Sequence, residues 1–304
     1  MIGGIYRKLL WNQINKSNIN LKILDVGAAG DSAPLWKYGK ESCEFITVDP
    51  FAPEGTVDIP FGLDSTTAKR RLYQTENPFC SSLYMPNLTY LDSKYSSAHL
   101  EQRKVAAEED INTVAGDSYL NLFEGLDFIK IDTQGSEFSI LEGLEETIKI
   151  FKPIMYLETW LEEVYKGAPK THEIINKLNI MGYEIIYTEV GASWSVDKTN
   201  LAKKGRRQSV GMDLLVMHKD TISLIDNPNS VLSKIAILEL YGMHTHVEKY
   251  LNILIKNGSL DAKKYKTKYY SRLKFVPANW IANILDYFCG NRFASKRIYP
   301  KLYD

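Results

Sequence analysis

Cysteine is scarce in this chain: Cys43, Cys80 and Cys289 are the only three in 304 residues, far apart and without a CxxC pair. This spacing excludes a disulfide framework and a zinc cage of paired cysteines, and it predicts a reducing compartment, the cytoplasm. An excess of either charge is missing too, because 37 Lys and Arg balance 37 Asp and Glu. No global field then draws the chain to nucleic acid or to an anionic membrane. No apolar run approaches the roughly 18 residues that cross a bilayer. The opening stretch Met1 to Trp11 lacks the apolar core and small-residue cleavage site of a secretion leader. The expectation is a soluble, unexported protein in which the sequon Asn87-Leu88-Thr89 carries little meaning. Internal repeats and low-complexity segments are absent as well.

With 44% hydrophobic and 24% charged residues, the chain can bury a core and exceeds one minimal domain. After a helix around Ile5 to Asn15, apolar runs bounded by turn residues alternate with helical patterns, the mark of an α/β fold. Strands are expected near 21–27, 43–49, 56–63, 126–132, 153–159, 182–188 and 212–218, about seven in all. Their near-continuous apolar character suits mostly parallel strands covered on both faces. Phe138, Ile140, Leu141, Leu144 and Ile148 recur at helical spacing, so the strand at 126–132 runs straight into a helix. Two stretches break the rhythm. Residues 64–110 are too long for an ordinary connection and contain a polar, helix-like piece around 92–109. Residues 191–210, with the basic run Lys203-Lys204-Gly205-Arg206-Arg207, read as an exposed loop. From about Asp220 the pattern becomes helical, with helices at Val231 to Tyr241, His246 to Ile255 and Trp280 to Phe288. The expected division is therefore a catalytic α/β domain over 1–219 and a helical appendage over 220–304. The appendage is a face for a partner or for peripheral membrane contact, or alternatively a lid on the sheet.

The run Leu21-Lys22-Ile23-Leu24-Asp25-Val26-Gly27-Ala28-Ala29-Gly30 delivers a carboxylate and two glycines into a tight turn. Phe45-Ile46-Thr47-Val48-Asp49 ends a second strand in another acid, suited to ribose hydroxyls. The dinucleotide pattern GxGxxG is not met: counting from Gly27, Ala29 and Ser32 stand at the second and third glycine positions. Asp25 would also sit badly beside a pyrophosphate. A cationic nucleoside suits it better, and S-adenosylmethionine gives each group a partner, its ammonium near Asp25 and its ribose on Asp49.

A second signal is Asp127-Phe128-Ile129-Lys130-Ile131-Asp132-Thr133-Gln134-Gly135-Ser136-Glu137-Phe138-Ser139-Ile140-Leu141-Glu142-Gly143. This run resembles the hallmark of the FkbM-type S-adenosylmethionine-dependent methyltransferases, a strand ending in Lys-Ile-Asp, a turn with Gly-x-Glu, and a helix running to Leu-x-Gly. Cys80-Ser81-Ser82-Leu83-Tyr84-Met85-Pro86-Asn87 and Tyr156-Leu157-Glu158 support the resemblance, which spans roughly residues 20–218. It implies a Rossmann-like class I methyltransferase sheet and methyl transfer to a hydroxyl oxygen of a sugar, glycoconjugate or natural product. Asp132, Glu137 and Glu158 are then the candidates for acceptor orientation and proton removal. Asp25, Gly27, Ala28, Gly30, Asp49, Pro50, Asp64 and Asp117 are candidates for the cofactor, and Lys130, Gln134, Ser82, Tyr84 and Asn87 for the acceptor.

Each assignment has a plainer rival. Glu137 in a first helical turn can complement the helix dipole, Lys130 can neutralise a buried carboxylate, and Asp117 can cap a helix. Three acids at one crevice raise the alternative of a divalent metal that binds substrate oxygens, but they have no His partner and no fixed ligand spacing. The metal is not favoured. A nicotinamide oxidoreductase and a catalytically inactive glycan-assembly scaffold remain as alternative functions. A base-flipping nucleic-acid enzyme is discounted, because the relevant strand ends in Lys-Ile-Asp rather than Asn-Pro-Pro-Tyr.

Overall fold

The computed structural model describes residues 2–17, 19–28, 36, 39–51, 55–95, 97–196, 207–221 and 228–273. In chain order, helix α1 (Ile2–Lys16) is followed by strands β1 (Leu21–Val26), β2 (Cys43–Val48), β3 (Gly62–Asp64) and β4 (Ala68–Thr75), then helices α2 (Leu88–Lys94) and α3 (Ser97–Glu101). Next come strands β5 (Val105–Ala115) and β6 (Phe128–Ile131), helices α4 (Glu137–Gly143) and α5 (Glu145–Phe151), strand β7 (Ile154–Trp160) and helix α6 (Thr171–Ile180). Strands β8 (Tyr183–Trp194) and β9 (Gln208–His218) precede helices α7 (Pro228–Leu240), α8 (His244–Lys256) and α9 (Leu260–Leu273).

Two compact units result, one of residues 22–29 and 45–220, the other of residues 1–21, 30–44 and 221–304. The described residues of the N-terminal helix and of 39–44 cluster with the C-terminal helices.

The first unit is mixed α/β. Its central sheet has six strands in the order β2-β1-β6-β7-β9-β8. Strands β1, β6 and β7 pair in parallel, and β9 pairs antiparallel with both β7 and β8. The seventh strand expected at 56–63 does not join this sheet as a strand. Its trace is a single parallel bridge between Ile59 and Val48. Alternation sends Leu24, Val26, Ile129, Ile131, Met155, Leu157, Leu214 and Val216 to one face. There they pack with Ile140, Leu141 and Ile148 from α4 and α5 and with Ile174 and Leu178 from α6. Each such side chain contributes roughly 1.5–3 kcal/mol on burial. The intervening positions, Asp25, Lys130, Tyr156, Glu158 and Asp213, stand on the opposite face.

In the segment expected as a long connection with a helix-like piece at 92–109, helices α2 and α3 occupy 88–94 and 97–101, while the rest forms a second sheet, ordered β3-β5-β4. β5 runs over 105–115, pairing parallel with β3 and antiparallel with β4. Most of β5 is solvent-exposed, so its sequence Val105-Ala106-Ala107-Glu108-Glu109-Asp110 carries no apolar alternation and its Ala and Glu imitate a helix. Cross-strand pairing supplies what the apolar pattern does not: Arg71 bridges to Asp110 at 2.7 Å and Glu108 at 3.0 Å. At such exposure solvent screens each pair, and the register rests mainly on the backbone ladder.

In the helical unit, Trp11 lies edge-on to Trp36 at 6.0 Å and sits so close to Gly39 that a Cβ there would come within 2.2 Å of its ring. Arg272 clasps buried Glu239 through two bonds of 2.8 and 2.7 Å, with the Tyr265 hydroxyl donating to the same carboxylate at 2.9 Å. The helix expected over 280–288 and the basic run Lys203 to Arg206 lie outside the described residues. No helix among the described residues is long and apolar enough to cross a membrane.

Candidate active site

From β1 the chain moves outward to β2, whereas from β6 it moves the other way to β7, so the carboxyl ends of β1 and β6 meet at the switch point of the sheet. Open α/β sheets bind their ligands at that place. The register pairs Asp25 with Lys130 and Val26 with Ile131, and the Asp132 amide then donates to the Val26 carbonyl at 3.2 Å. Gly27 turns the chain at φ +81°, and a Cβ there would stand 2.1 Å from the Asp132 carbonyl oxygen. Glycine is required on both counts. The Gly27 and Ala28 amides donate to the Val48 carbonyl at 3.0 and 3.3 Å, which brings the end of β2, and hence Asp49, beside this turn.

Three charges meet below it. The Lys130 ammonium lies 3.1 Å from Asp25 and 3.8 Å from Asp132, all three side chains less than a fifth exposed. Burial pushes the Lys130 ammonium down, but Asp132 and Asp25 more than offset this and its pKa is raised. Lys130 is therefore a fixed cation that neutralises one of two acids, leaving the group one negative charge. One strand over, Glu158 stands on the rung that continues Lys130↔Tyr156, next to Asp132. Burial, then the Asp132 charge and a hydrogen bond between the two carboxyl groups, raise Glu158 well above the usual carboxylate range. Neighbouring buried carboxyls oppose each other's ionisation, and here it is Glu158 that is pushed up. Gln134 fixes the pair: its amide nitrogen donates to Asp132 at 3.1 Å and to Glu158, and its oxygen accepts from the Tyr165 hydroxyl at 2.9 Å. To do so Gln134 adopts a left-handed φ of +60°, a strained conformation for a residue with a Cβ.

The other expected residues divide into two groups. Asp49 is buried, and its Oδ1 accepts the Phe51 amide at 2.8 Å. Its Oδ2 makes no hydrogen bond among the described residues, and Pro50 leads the chain on from it, half-buried. Gly30 lies outside the described residues. Asp64 is not free for a cofactor: it pairs with Arg70 and accepts the Ser65 amide. Asp117, expected at the cofactor, caps α5 instead, accepting the Glu146 and Thr147 amides at 2.9 Å and the Thr147 hydroxyl at 2.7 Å. Asn87, expected at the acceptor, caps α2 through the Tyr90 amide. Ser82 is a buried pin, donating to the Gln134 carbonyl at 2.8 Å and accepting the Tyr84 amide. Tyr84 keeps a half-buried hydroxyl, which burial raises and Arg70 partly lowers.

Comparison with known proteins decides the family, because residues 25–185 match the methyltransferase FkbM domain. The chain belongs to the FkbM methyltransferase family. A solved structure of methyltransferase FkbM from Methylobacillus flagellatus KT is similar at 16% identity over 64% of this chain, with a TM-score of 0.33. The chain spans 43% of the length of that protein. No curated protein matches.

In this chain, Glu137 differs most from expectation. It was a candidate to orient or deprotonate an acceptor, yet it is fully buried, and its Oε1 accepts the Thr133 amide, the Thr133 hydroxyl and the Gly135 amide, each at 3.1 Å. These contacts fasten the β6–α4 turn, which makes the carboxylate a clamp that positions Asp132 and Gln134. Its Oε2 is buried without a partner, and burial pushes the carboxyl up from 4.5 to about 7. Between those values the folded chain holds this proton more tightly than the unfolded chain. Stability should thus fall as pH rises through that window, by up to about 3 kcal/mol. Glu137→Gln should flatten the fall, and urea midpoints from pH 5 to 7.5 measure it. An undiminished slope in that variant would assign the effect elsewhere.

Three contributors went unread in the sequence. Tyr165, in the loop after β7, orients Gln134 and also donates to the Cys80 carbonyl at 2.9 Å. Its place just beyond a strand end was the available signal. Asp213 lies opposite Glu158 across β9, where it adds to the charge that raises Glu158. Arg103 lies between α3 and β5, in a polar stretch with no motif to mark it. Among the described residues no three His, Cys, Asp or Glu side chains are arranged to hold a metal ion.

Proposed function

We propose that the chain is an S-adenosylmethionine-dependent O-methyltransferase for a hydroxyl of a sugar, glycoconjugate or natural-product acceptor, working in the cytoplasm. The observation that carries this reading is the cluster of Lys130, Asp132 and Glu158 at the switch point of the sheet, with Gln134 donating to both carboxyl groups and Asp132 one residue beyond the strand that adjoins the Gly27 turn.

The residues present fit the donor. Asp49 offers Oδ2 to ribose hydroxyls, the Gly27–Ala28 turn permits a close backbone approach, and the net negative charge of Asp25, Lys130 and Asp132 suits a cation. When bound, S-adenosylmethionine supplies an activated methyl group on a sulfonium. The protein's part is to place the acceptor oxygen in line with that carbon and to receive the hydroxyl proton. Positioning alone can supply effective molarities of roughly 10⁵ M. Asp132 is the group we assign to take the proton, held ionised by Lys130 and oriented by Gln134, while Glu158 stays protonated beside it. The assignment of 1–219 as catalytic domain belongs to the same proposal, as does the helical 220–304 as an appendage.

Two measurements test this. Calorimetry with S-adenosylhomocysteine should show Asp49→Ala weakened roughly 100-fold, because two hydrogen bonds to a charged acceptor are lost. Wild-type affinity would remove Asp49 from the donor. With methyl-labelled S-adenosylmethionine and fractionated sugar nucleotides, oligosaccharides and lipids, label should enter one fraction as an ether that survives mild alkali. Alkali-labile label would indicate a carboxyl acceptor and sink the hydroxyl assignment.

A further inference from the structure

Arg103 sits in the first unit with a side chain that ordinary packing does not explain. It is only 5% exposed, and its Nε is buried without a hydrogen-bond partner. Among the described residues no carboxylate pairs with it. Its guanidinium carbon lies instead over three aromatic rings, 4.7 Å from the centroid of Trp194, 5.4 Å from Trp160 and 5.9 Å from Tyr165. Trp160 is also buried, at 3% exposure, and its Nε1 is likewise without a partner. Two N–H donors thus stand in one aromatic cluster with no acceptor for either. A buried cation without an anion is costly, and aromatic faces compensate only in part. Unpaired buried donors of this kind are rare in folded proteins and point to a missing partner.

The surroundings say what that partner is. His99 stacks on Trp194 at 4.5 Å and 14°. Burial, then Arg103 and exposed Arg207, lower its pKa, so the imidazole is neutral near pH 7 and Arg103 and Arg207 are the cations there. Tyr165 joins the cluster to the candidate active site, since its ring faces Arg103 while its hydroxyl holds the Gln134 amide that fixes Asp132 and Glu158. The Cys80 thiol is within electrostatic reach of both Arg103 and Asp132.

We propose that Arg103, with the Trp160 indole N–H, is an oxyanion-recognition site for the acceptor, which therefore carries a carboxylate or phosphate near the hydroxyl to be methylated. This rests on the methyl-transfer reading above. A guanidinium takes planar or tetrahedral oxyanions through two parallel bonds, and the rings of Trp160, Trp194 and Tyr165 give the attached sugar or ring an apolar wall. Uronic acids and sugar phosphates share that chemistry.

The test uses the full chain and its own tryptophan fluorescence, with glucuronate, glucose 6-phosphate and neutral glucose as probes, beside calorimetry with S-adenosylhomocysteine. At least one anion should change the emission saturably, and glucose should not; which anion binds tells carboxylate from phosphate. Arg103→Met keeps the length of the side chain and removes its donors, and should weaken that anion roughly 10- to 100-fold with S-adenosylhomocysteine affinity unchanged. Trp160→Phe keeps an aromatic ring and removes the N–H, and should weaken it several-fold, which provides a reading if Arg103→Met does not fold. No saturable response to either anion, an equal response to glucose, or undiminished binding in both variants overturns the proposal. If wild type binds the anion but not S-adenosylhomocysteine, the oxyanion site stands and the methyl-transfer reading fails.

Discussion

Alanine in place of Gly27 is expected to cost roughly 2–5 kcal/mol of stability and to abolish measurable binding of S-adenosylhomocysteine. Two independent penalties combine. A left-handed φ of +81° costs an L-residue about 1–2 kcal/mol. The new methyl must also displace a backbone carbonyl, that of Asp132, from 2.1 Å, and such overpacking costs typically 1–3 kcal/mol. The atom in the way matters more than the sum, since relieving the clash moves the residue proposed to receive the proton and opens the junction of β1 with β6. Gly125 is the control. Its φ of +78° is nearly the same, but a Cβ there would meet nothing within 4 Å. Gly125→Ala should lose only about 1–2 kcal/mol and keep full donor affinity. Urea unfolding of the two variants with calorimetry on each separates steric displacement from backbone strain; equal losses would make the contact with Asp132 irrelevant.

What could be read from the chain alone follows from where its physical constraints are local. The turn after β1 and the turn after β6 each need particular residues within ten positions, so Asp25, Gly27 and the run from Lys130 to Glu137 declared themselves. Asp49 did so too, since it directly follows the strand end Phe45-Ile46-Thr47-Val48. Other features depend on partners distant in sequence. β5 is held by β3 and β4 rather than by an apolar face, so its composition says helix and its pairing says strand. Ile59 reaches β2 through one bridge, too little for a strand and invisible to any pattern. Glu137 stands where a dipole-complementing acid, a catalytic base and a turn clamp all look alike, and only the approach of the Thr133 and Gly135 amides separates them. Arg103 is the extreme case. A lone arginine in a polar stretch reads as a solvated charge until β7, β8 and the loop after β7 bring Trp160, Trp194 and Tyr165 around it.

Asp132→Asn should lower turnover about 10²- to 10⁴-fold, the range a positioned base contributes, while S-adenosylhomocysteine affinity changes by no more than a few-fold. The amide preserves shape, and its oxygen can still accept from Gln134 while its NH2 takes the side that faced Lys130 at 3.8 Å, so the turn is kept and both basicity and the Lys130 pairing are lost. Glu158→Gln is the informative companion. In wild type, burial and the Asp132 charge hold Glu158 well above the ordinary range, so Glu158 stays protonated beside an ionised Asp132, and turnover should fall as pH rises through that raised ionisation and the proton that orients Asp132 is lost. In Glu158→Gln the second acid is gone, and that fall should vanish, with a smaller loss at neutral pH than in Asp132→Asn, roughly tenfold if a single well-placed hydrogen bond is at stake. The contrast between the two variants separates the base from its orienting partner: Asp132→Asn lowers the plateau at every pH, Glu158→Gln flattens the profile. An Asp132→Asn enzyme within threefold of wild-type turnover would leave proton removal to solvent and reduce this carboxylate to the counterion of Lys130.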